Sequence, residues 1–283
     1  MLASSFRIIA VSGQLSLAHG SMMAVGAYTS ALLVMKMNFP FWISLPLAGL
    51  VTAVLAMLIG FSFIRLKGVF FVMVTAFLAQ FIILTATQWR SLTGGSSGIL
   101  NIPRPNPITI PGILNIDFSS KMHFYYLILI LMITSLLILY AIDRSRIGFT
   151  WQGIRQSDSL ADSVGINTTG YKVLAFCLGC FLAGITGSFY STYIGVLFPS
   201  NFSFIFGIYI IVYATVGGMG KFWGPIIGAF VLTIVPELAR ATAVYEPILY
   251  AIVLILIVAF LPEGLVGLPE RWQKLRKQRR KHA

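Results

Sequence analysis

Long apolar runs constrain this chain more than any other feature of its sequence. Eight can be marked, each close to the roughly 20 residues that a helix needs to cross a bilayer. Their approximate bounds are 17–35, 41–64, 69–87, 123–142, 173–197, 203–220, 225–240 and 246–262. Because backbone groups in lipid must be hydrogen-bonded within the protein, such runs indicate helices, whereas barrel strands would alternate apolar and polar residues. The sequence therefore predicts an all-α, polytopic transmembrane helix bundle with about eight spans.

The composition excludes a soluble globular domain. Hydrophobic residues make up 58% of the 283 and charged residues only 10%, whereas soluble domains carry about 25% charged residues. A net charge of +12 is compatible with nucleic-acid binding, but the lysines and arginines lie in short loops and at the C-terminus rather than on one face of a soluble module. We therefore expect membrane lipid, and no nucleic acid, among the partners.

The distribution of basic residues predicts the orientation of the spans, because cytoplasmic loops of membrane proteins are enriched in lysine and arginine. With the N-terminus inside, 15 of the 20 basic residues fall on the inner side, seven of them in the C-terminal tail. The others on that side are Arg7, Arg65, Lys67, Arg144, Arg146, Arg155, Lys172 and Lys221. The outer side carries Lys36, Arg90, Arg104, Lys121 and Arg240. Both termini are therefore predicted to be cytoplasmic.

Three polar segments are longer than simple connections. The outer loop 88–121 is rich in proline and glycine, which is typical of turns and extended chain ordered against another part of the protein. The inner loop 143–172 is polar and partly helical. The basic tail 269–283 has the composition of an anchor for anionic lipid headgroups, with binding of a specific partner as the alternative. We therefore divide the chain into a transmembrane domain, residues 1–268, and a basic cytoplasmic tail.

No recognisable pattern of catalytic or metal-binding residues occurs in the sequence. The three histidines are far apart, and the motifs of zinc proteases and serine hydrolases are absent. Cys177 and Cys180 lie inside an apolar run, which favours helix packing over redox or zinc chemistry. The segment 217–221 (GGMGK) resembles a phosphate-binding loop, but that loop needs a serine or threonine after the lysine, where this chain has Phe222. We therefore expect no enzyme, metal or cofactor, and a partner that binds any ATP.

Several polar residues and glycines lie in runs that otherwise suit lipid, and we interpret them as a candidate substrate pathway. Polar side chains at membrane depth usually face the bundle interior or a water-filled path. The candidates are Gln14, Ser16, His19, Gly20, Tyr28, Gln80, Gly217 and Gly218. The alternative for each polar residue is a hydrogen bond between helices, and for each glycine a close packing of helices.

Small residues also predict where helices approach one another closely. Gly220, Gly224 and Gly228 recur every four residues and therefore share one helix face. Pro225 interrupts the same region and favours a broken helix or a re-entrant turn, of the kind that lines transporter cavities. A second face of small residues lies within the run 173–197, where two glycines are three positions apart.

The inner loop contains the sharpest local signal, a short helix predicted over 157–166 (SDSLADSVGI). Serine and aspartate suit its start, acids in its first turn suit the positive helix end, and Gly165 is a typical C-terminal stop. Leu160, Ala161 and Val164 form one apolar patch. Such a helix either contacts a soluble subunit or lies on a surface as an amphipathic helix, and the residue pattern fits both.

Six groups of motifs follow one another along the chain between residues 12 and 268. They are GQLSLAHG (13–20) with GAY (26–28), RLKGVFF (65–71) with MVT (73–75), LTGG (92–95) with IPRP (102–105), GIN (165–167), GGMG (217–220) with WGP (223–225), and PEGLVGL (262–268). In order and spacing they resemble one family, the LivM-like permease subunits of bacterial ABC importers for branched-chain amino acids.

The resemblance implies a permease that carries leucine, isoleucine or valine across the inner membrane, beside a second permease of similar fold. A cytoplasmic ATPase would provide the energy, and a periplasmic solute-binding protein would deliver the solute to the outer face. The inner-loop helix corresponds to the coupling helix that docks on the ATPase. Its candidate residues are Arg155, Asp158, Leu160, Ala161, Asp162, Val164 and Gly165. The two acids match acidic positions of the family, whereas Leu160 stands where a small residue is more usual.

Two alternatives stay open on the sequence. Close relatives of the family carry urea, short amides or other amino acids, so the same permease role for another solute is the nearer alternative. An ion-coupled secondary carrier is the more distant one, since such carriers usually place an ionisable pair in the membrane and only Glu237 and Arg240 come close. Family members also carry hydrophobic sequence ahead of the segment matching 13–28, which implies either a start upstream of Met1 or a lack of the first helices.

Overall fold

A computed structural model describes residues 1–66, 68–110, 114–116, 118, 120–238 and 264–267. These residues form eleven α-helices and three short 3-10 helices. The α-helices are α1 (Leu2–Val11), α2 (His19–Met37), α3 (Phe41–Phe63), α4 (Val69–Gln88), α5 (Arg90–Thr93), α6 (Lys121–Asp143), α7 (Arg146–Gln156), α8 (Asp158–Ser163), α9 (Thr168–Ile194), α10 (Phe204–Gly217) and α11 (Gly224–Leu238). The 3-10 helices are Gly95–Ser97, Pro199–Phe202 and Leu265–Gly267. The chain divides into two units, Met1–Ile208 and Tyr209–Ala283.

The apolar helices confirm a multi-pass membrane protein, but the predicted count of eight spans is not confirmed. Among the described residues, five segments are long and apolar enough to cross a membrane, namely Phe41–Phe63, Val69–Gln88, Lys121–Asp143, Thr168–Ile194 and Pro199–Gly217. The first predicted run is α2, a helix of 19 residues with several polar side chains, and the seventh is the shorter α11. The eighth run, 246–262, lies outside the described residues, as do Lys67, Arg240 and the tail 269–283.

Helix α9 is the centre of the first unit. It packs against α1, α2 and α3, and 61% of its most apolar stretch is buried, against 17–33% for the other four spans. Glycines permit the closest of these contacts, because Gly26 of α2 meets the backbone of Gly184 and the Met23 carbonyl lies against Gly187. The face of small residues expected within the run 173–197 is therefore a packing face.

The outer loop is ordered against the end of α9, as its composition predicts. Ile99 and Leu197 form an antiparallel bridge with N–O distances of 2.9 and 2.8 Å, and the Ile102 N–H donates to the Gly195 carbonyl at 3.0 Å. Further along the loop, the Trp42 indole N–H donates to the carbonyl of residue 106 at 3.2 Å. The loop is thereby attached to both α9 and α3.

A two-stranded ribbon in the outer loop is a difference from the all-helical expectation. Strands β1 (Ile108–Ile110) and β2 (Leu114–Ile116) pair antiparallel, with Thr109 opposite Asn115. The physical reason is local, since apolar and polar residues alternate in both strands and β1 consists of β-branched residues, in a proline-rich segment that does not favour a helix. The ribbon is short and leaves the helical character of the fold unchanged.

Close glycine packing in the second unit confirms most of the predicted small-residue face. The backbone of Gly217 lies directly against Gly224 and Gly228. The helix breaks between α10 and α11, ahead of Pro225, as that proline predicts. Gly220 is the exception, because it lies in the turn between the two helices and a side chain there would meet open space.

Candidate functional site

The first candidate site is a break between two helices near the start of the chain. Helix α1 ends at Val11 and α2 begins at His19, and the intervening residues 12–18 form the helix break. Gly13 adopts a positive φ of 86° there, a conformation that favours glycine. The sequence predicted polar residues at this place but not α1 itself, because its ten residues are too few for a span.

The helix break is partly buried, with Ser12, Gln14, Ser16 and Ala18 inside and Gly13 and Leu15 exposed, and the polar groups of its buried part need partners within the protein. The Leu17 N–H donates to Thr75 Oγ1 of α4 at 3.2 Å, and the Ala18 N–H donates to Ser16 Oγ at 3.3 Å. The Ser21 hydroxyl donates in turn to the Ala18 carbonyl at 2.8 Å. Non-helical backbone stabilised in this way is the arrangement in which membrane transporters place their solute sites.

Three buried side chains in the helix break and in α2 carry polar atoms that lack a hydrogen-bond partner among the described residues. Gln14 is 6% exposed and donates through Nε2 to the Ile64 carbonyl at 3.0 Å. His19 is 1% exposed, and its Nε2 lies 2.8 Å from the Ser5 hydroxyl. Gln14 Oε1, His19 Nδ1 and the Tyr28 hydroxyl are buried without a hydrogen-bond partner among the described residues. A buried polar atom left unpaired costs about 1–3 kcal/mol, so a hydrogen-bond partner would stabilise each of these three atoms.

The remaining pathway candidates fall in different places. Gly20 lies close to Gly207, where a Cβ would stand 3.2 Å from the Gly207 nitrogen, so its contact is one of packing. Gln80 is exposed on α4, away from the buried face of that helix. Gly217 and Gly218 belong to the second unit, where both lie against other glycines. Gln14, Ser16, His19 and Gly20 therefore lie in or directly after the helix break, whereas Tyr28 lies further along α2 and Gln80 on the exposed face of α4.

The inner loop forms the second candidate site, and several of its residues are packed against the rest of the first unit. Trp151 of α7 is buried, and its indole N–H donates to the Tyr171 carbonyl of α9 at 2.8 Å. Ser157 caps the following helix by accepting the Leu160 N–H. The predicted helix is confirmed as α8, and it ends at Ser163, slightly earlier than its pattern indicated.

Helix α8 presents an apolar patch to its surroundings. The side chains of Leu160 and Val164 are 68% and 73% exposed, whereas Ala161 is buried toward the protein. Gly165, two residues after the end of α8, has a φ of 83°, and Arg155 is exposed at the end of α7. Two large apolar side chains that protrude from a short helix suit contact with another protein or with a membrane surface.

The acids of α8 turn the other way, toward α9. Asp158 Oδ2 forms an ion pair with Lys172 Nζ at 2.6 Å, and Asp162 Oδ1 accepts the Thr168 hydroxyl at 2.8 Å. Sequence reasoning missed both partners in α9. The sequence did contain a signal for this contact. The two acids are four residues apart in α8 and therefore share one helix face, and their two partners are likewise four residues apart on one face of α9.

A second ion pair connects α1 to the start of the inner loop. The Arg7 guanidinium binds Asp143 through two hydrogen bonds, of 3.0 and 3.3 Å, and Arg7 is buried. The helix break is also close to the inner loop, since a Cβ on Gly13 would stand 3.5 Å from the Arg155 Cα. The two candidate sites are therefore neighbours within the first unit.

Comparison with known proteins identifies the family of the chain. The model of the permease component of branched-chain amino acid transport systems matches residues 1–261. The chain is 29% identical to the high-affinity branched-chain amino acid transport system permease protein LivM of Salmonella typhimurium and 28% identical to that of Escherichia coli K12, in both cases over 95% of this chain and 67% of the relative. It is 26% identical to LivH of Escherichia coli K12, over 95% of this chain and 93% of that protein. No solved structure matches it. The chain belongs to the family of permease components of branched-chain amino acid transport systems.

Proposed function

We propose that this chain is the transmembrane permease subunit of an ABC importer that carries leucine, isoleucine and valine across the bacterial inner membrane. The observation that carries the proposal is the family match over residues 1–261, together with the names of the most similar relatives. The buried, unpaired polar atoms of Gln14 in the helix break and of His19 and Tyr28 in α2 suit a path for the solute. The exposed apolar patch of α8 suits a contact with an ATPase.

The proposed assembly contains a pair of permeases, an ATPase and a solute-binding protein, surrounded by membrane lipid. Similarity to both LivM and LivH supports a pair of homologous permeases. A cytoplasmic ABC ATPase would dock on Leu160 and Val164, and it would bind the ATP, because this sequence has no nucleotide-binding motif and no catalytic residues of its own. A periplasmic solute-binding protein would contact the outer loop, and membrane lipid would surround the spans. No cofactor or nucleic acid takes part.

The proposed orientation places both termini in the cytoplasm. The basic residues of the sequence divide 15 to 5 in its favour. The contacts of the first unit agree with the predicted grouping of residues by side, because Arg7 and Asp143, both predicted to be inside, form an ion pair. Lys36 and Ser91, both predicted to be outside, are joined by a hydrogen bond of 3.0 Å. Residues 1–268 would then form the permease domain, and 269–283 its basic cytoplasmic tail.

Uptake of labelled leucine tests the proposal directly. In cells that lack other leucine carriers, deletion of the gene should abolish saturable uptake, and its reintroduction should restore it. Isoleucine and valine in excess should compete. Unchanged leucine uptake together with loss of uptake of urea, a short amide or another amino acid would overturn the proposed substrate. Uptake that persists without ATP but collapses with the ion gradient would overturn the ABC importer and favour an ion-coupled carrier.

Replacement of Gln14 by alanine tests the helix break as part of the solute path. We expect leucine uptake to fall about tenfold, because a lost buried hydrogen bond costs about 1–3 kcal/mol and 1.4 kcal/mol corresponds to about a factor of ten. Gln152→Ala, at an exposed position of α7, is the matched control and should transport normally. Normal transport by Gln14→Ala with loss in Gln80→Ala would instead place the path along the exposed face of α4.

A further inference from the structure

The two acids of α8 are both engaged by the permease itself. Asp158 is paired with Lys172, and Asp162 accepts a hydrogen bond from Thr168. Both partners belong to α9, so both acids attach α8 to the permease. The outward side chains, Leu160 and Val164, are apolar. Helix α8 therefore separates its two tasks, with contact to a partner on one face and attachment to α9 on the other.

Lys172 is an unusual residue to find at this attachment. Its side chain is only 8% exposed, against 24% for Asp158, and lysine is almost never buried unless it is paired. The distance of 2.6 Å makes this a short, charge-assisted contact. A buried ion pair is weak evidence for stability, because removal of two charges from water offsets their attraction. A fixed geometry is a better explanation for its presence.

Helix α9 extends from this ion pair to the opposite end of the first unit. Its 27 residues correspond to about 40 Å of helix, more than the roughly 30 Å of a bilayer core. At its far end, the bridge between Ile99 and Leu197 and the bond from Ile102 to Gly195 attach the outer loop. One continuous, largely buried helix therefore joins α8 to the outer loop.

We propose that the Asp158–Lys172 ion pair is the positioning contact through which a displacement of α8 moves α9, and that α9 transmits it to the outer loop. This inference rests on the proposed function, since it assumes an ATPase on α8 and a solute-binding protein on the outer loop. Asp158 and Lys172 touch neither solute nor nucleotide. They hold α8 and α9 together as one rigid body, so that a displacement at the cytoplasmic face of the membrane also moves the outer loop.

The test uses the whole transporter, with the second permease, the ATPase and the binding protein, reconstituted in proteoliposomes. The readout is the stimulation of ATP hydrolysis by leucine-loaded binding protein, which requires a signal to cross the membrane. Asp158→Asn and Lys172→Met should each lower this stimulation at least tenfold, and Lys172→Arg should retain it. The exchange Asp158→Lys with Lys172→Asp should recover most of the loss. Arg146→Met, which removes an exposed cation of the same loop, serves as the control.

The outcomes distinguish positioning from simple stability. A purely structural pair would lower the amount of assembled transporter and leave the stimulation of the assembled fraction at the wild-type level, and that result would overturn the inference. Equal stimulation by Lys172→Met and Lys172→Arg would overturn it too, and this comparison decides even where the exchange variant fails to assemble. Failure of the proposed function is seen separately, as a wild-type chain that binds no ATPase or transports no leucine.

Discussion

Replacement of Gly184 by leucine is expected to leave almost no folded permease, even though leucine is the most common residue of membrane helices. At this position α9 is held between two other helices. A Cβ on Gly184 would overlap Thr52 Oγ1 and stand 2.8 Å from the Ala48 carbonyl, both in α3. On the other side the backbone of Gly26 in α2 is in direct contact. Because the obstacles include main-chain atoms, rotation of a side chain does not relieve them.

The expected loss in free energy of unfolding increases with the size of the new side chain. Overpacking of a tight core typically costs about 1–3 kcal/mol, which we expect already for Gly184→Ala. The larger Gly184→Leu should exceed that range and prevent assembly of α2, α3 and α9. Gly153→Ala is the matched control, because a Cβ there meets nothing within 4 Å and alanine favours a helix over glycine by about 1 kcal/mol.

These effects are measured by thermal unfolding of the purified variants in detergent, with size-exclusion chromatography used to quantify the folded protein that remains at each temperature. The order of midpoints should be Gly153→Ala at or above wild type, then Gly184→Ala clearly below it, with too little Gly184→Leu to measure. A Gly184→Ala midpoint equal to that of wild type would show that α2, α3 and α9 separate easily and that the glycine contact is not what sets their distance.

The sequence predicted the kind of contact at these glycines but not the partners. Three-residue spacing of Gly184 and Gly187 identifies a face where a helix approaches closely. Which helices approach depends on the register of α2 and α3 along α9, and hydrophobic runs without charges do not determine register. The same limit applies to the helix break, where polarity pointed to the bundle interior. The contact with Thr75 of α4 depends on long-range packing and has no local signal.

For charged residues, the sequence predicts the side of the membrane but not the contact partner. Arg7 and Asp143 were predicted to lie on the same side of the membrane, and the structure joins them although 136 residues separate them. Distribution of charge predicts sides, because it reflects insertion into the membrane, but it does not predict pairs. For α8, in contrast, the cap, the apolar patch and the stop are all local, so the helix itself was correctly predicted from the sequence. The prediction differed in three details: the acids face α9, Ala161 is buried instead of sharing the exposed patch, and the helix ends at Ser163.

The second large expected effect is the loss of ATPase binding when the apolar patch of α8 is made acidic. Replacement of both Leu160 and Val164 by aspartate should abolish co-purification of the ATPase. Docking would bury these side chains against the partner, and each carboxylate removed from water without a counter-ion costs several kcal/mol. Since 1.4 kcal/mol corresponds to about a factor of ten in affinity, the double variant should bind the ATPase at least about 100-fold more weakly.

The loss should leave the permease itself intact, which separates this effect from that of Gly184→Leu. Both side chains are mostly exposed, and exposed substitutions usually change stability by no more than about 0.5 kcal/mol. Leu100→Asp is the matched control, because it places the same charge at an exposed leucine of the outer loop and should retain the ATPase. If the ATPase still co-purifies with the double variant at the wild-type level, α8 is an amphipathic surface helix, and the contact that powers transport lies elsewhere on the chain.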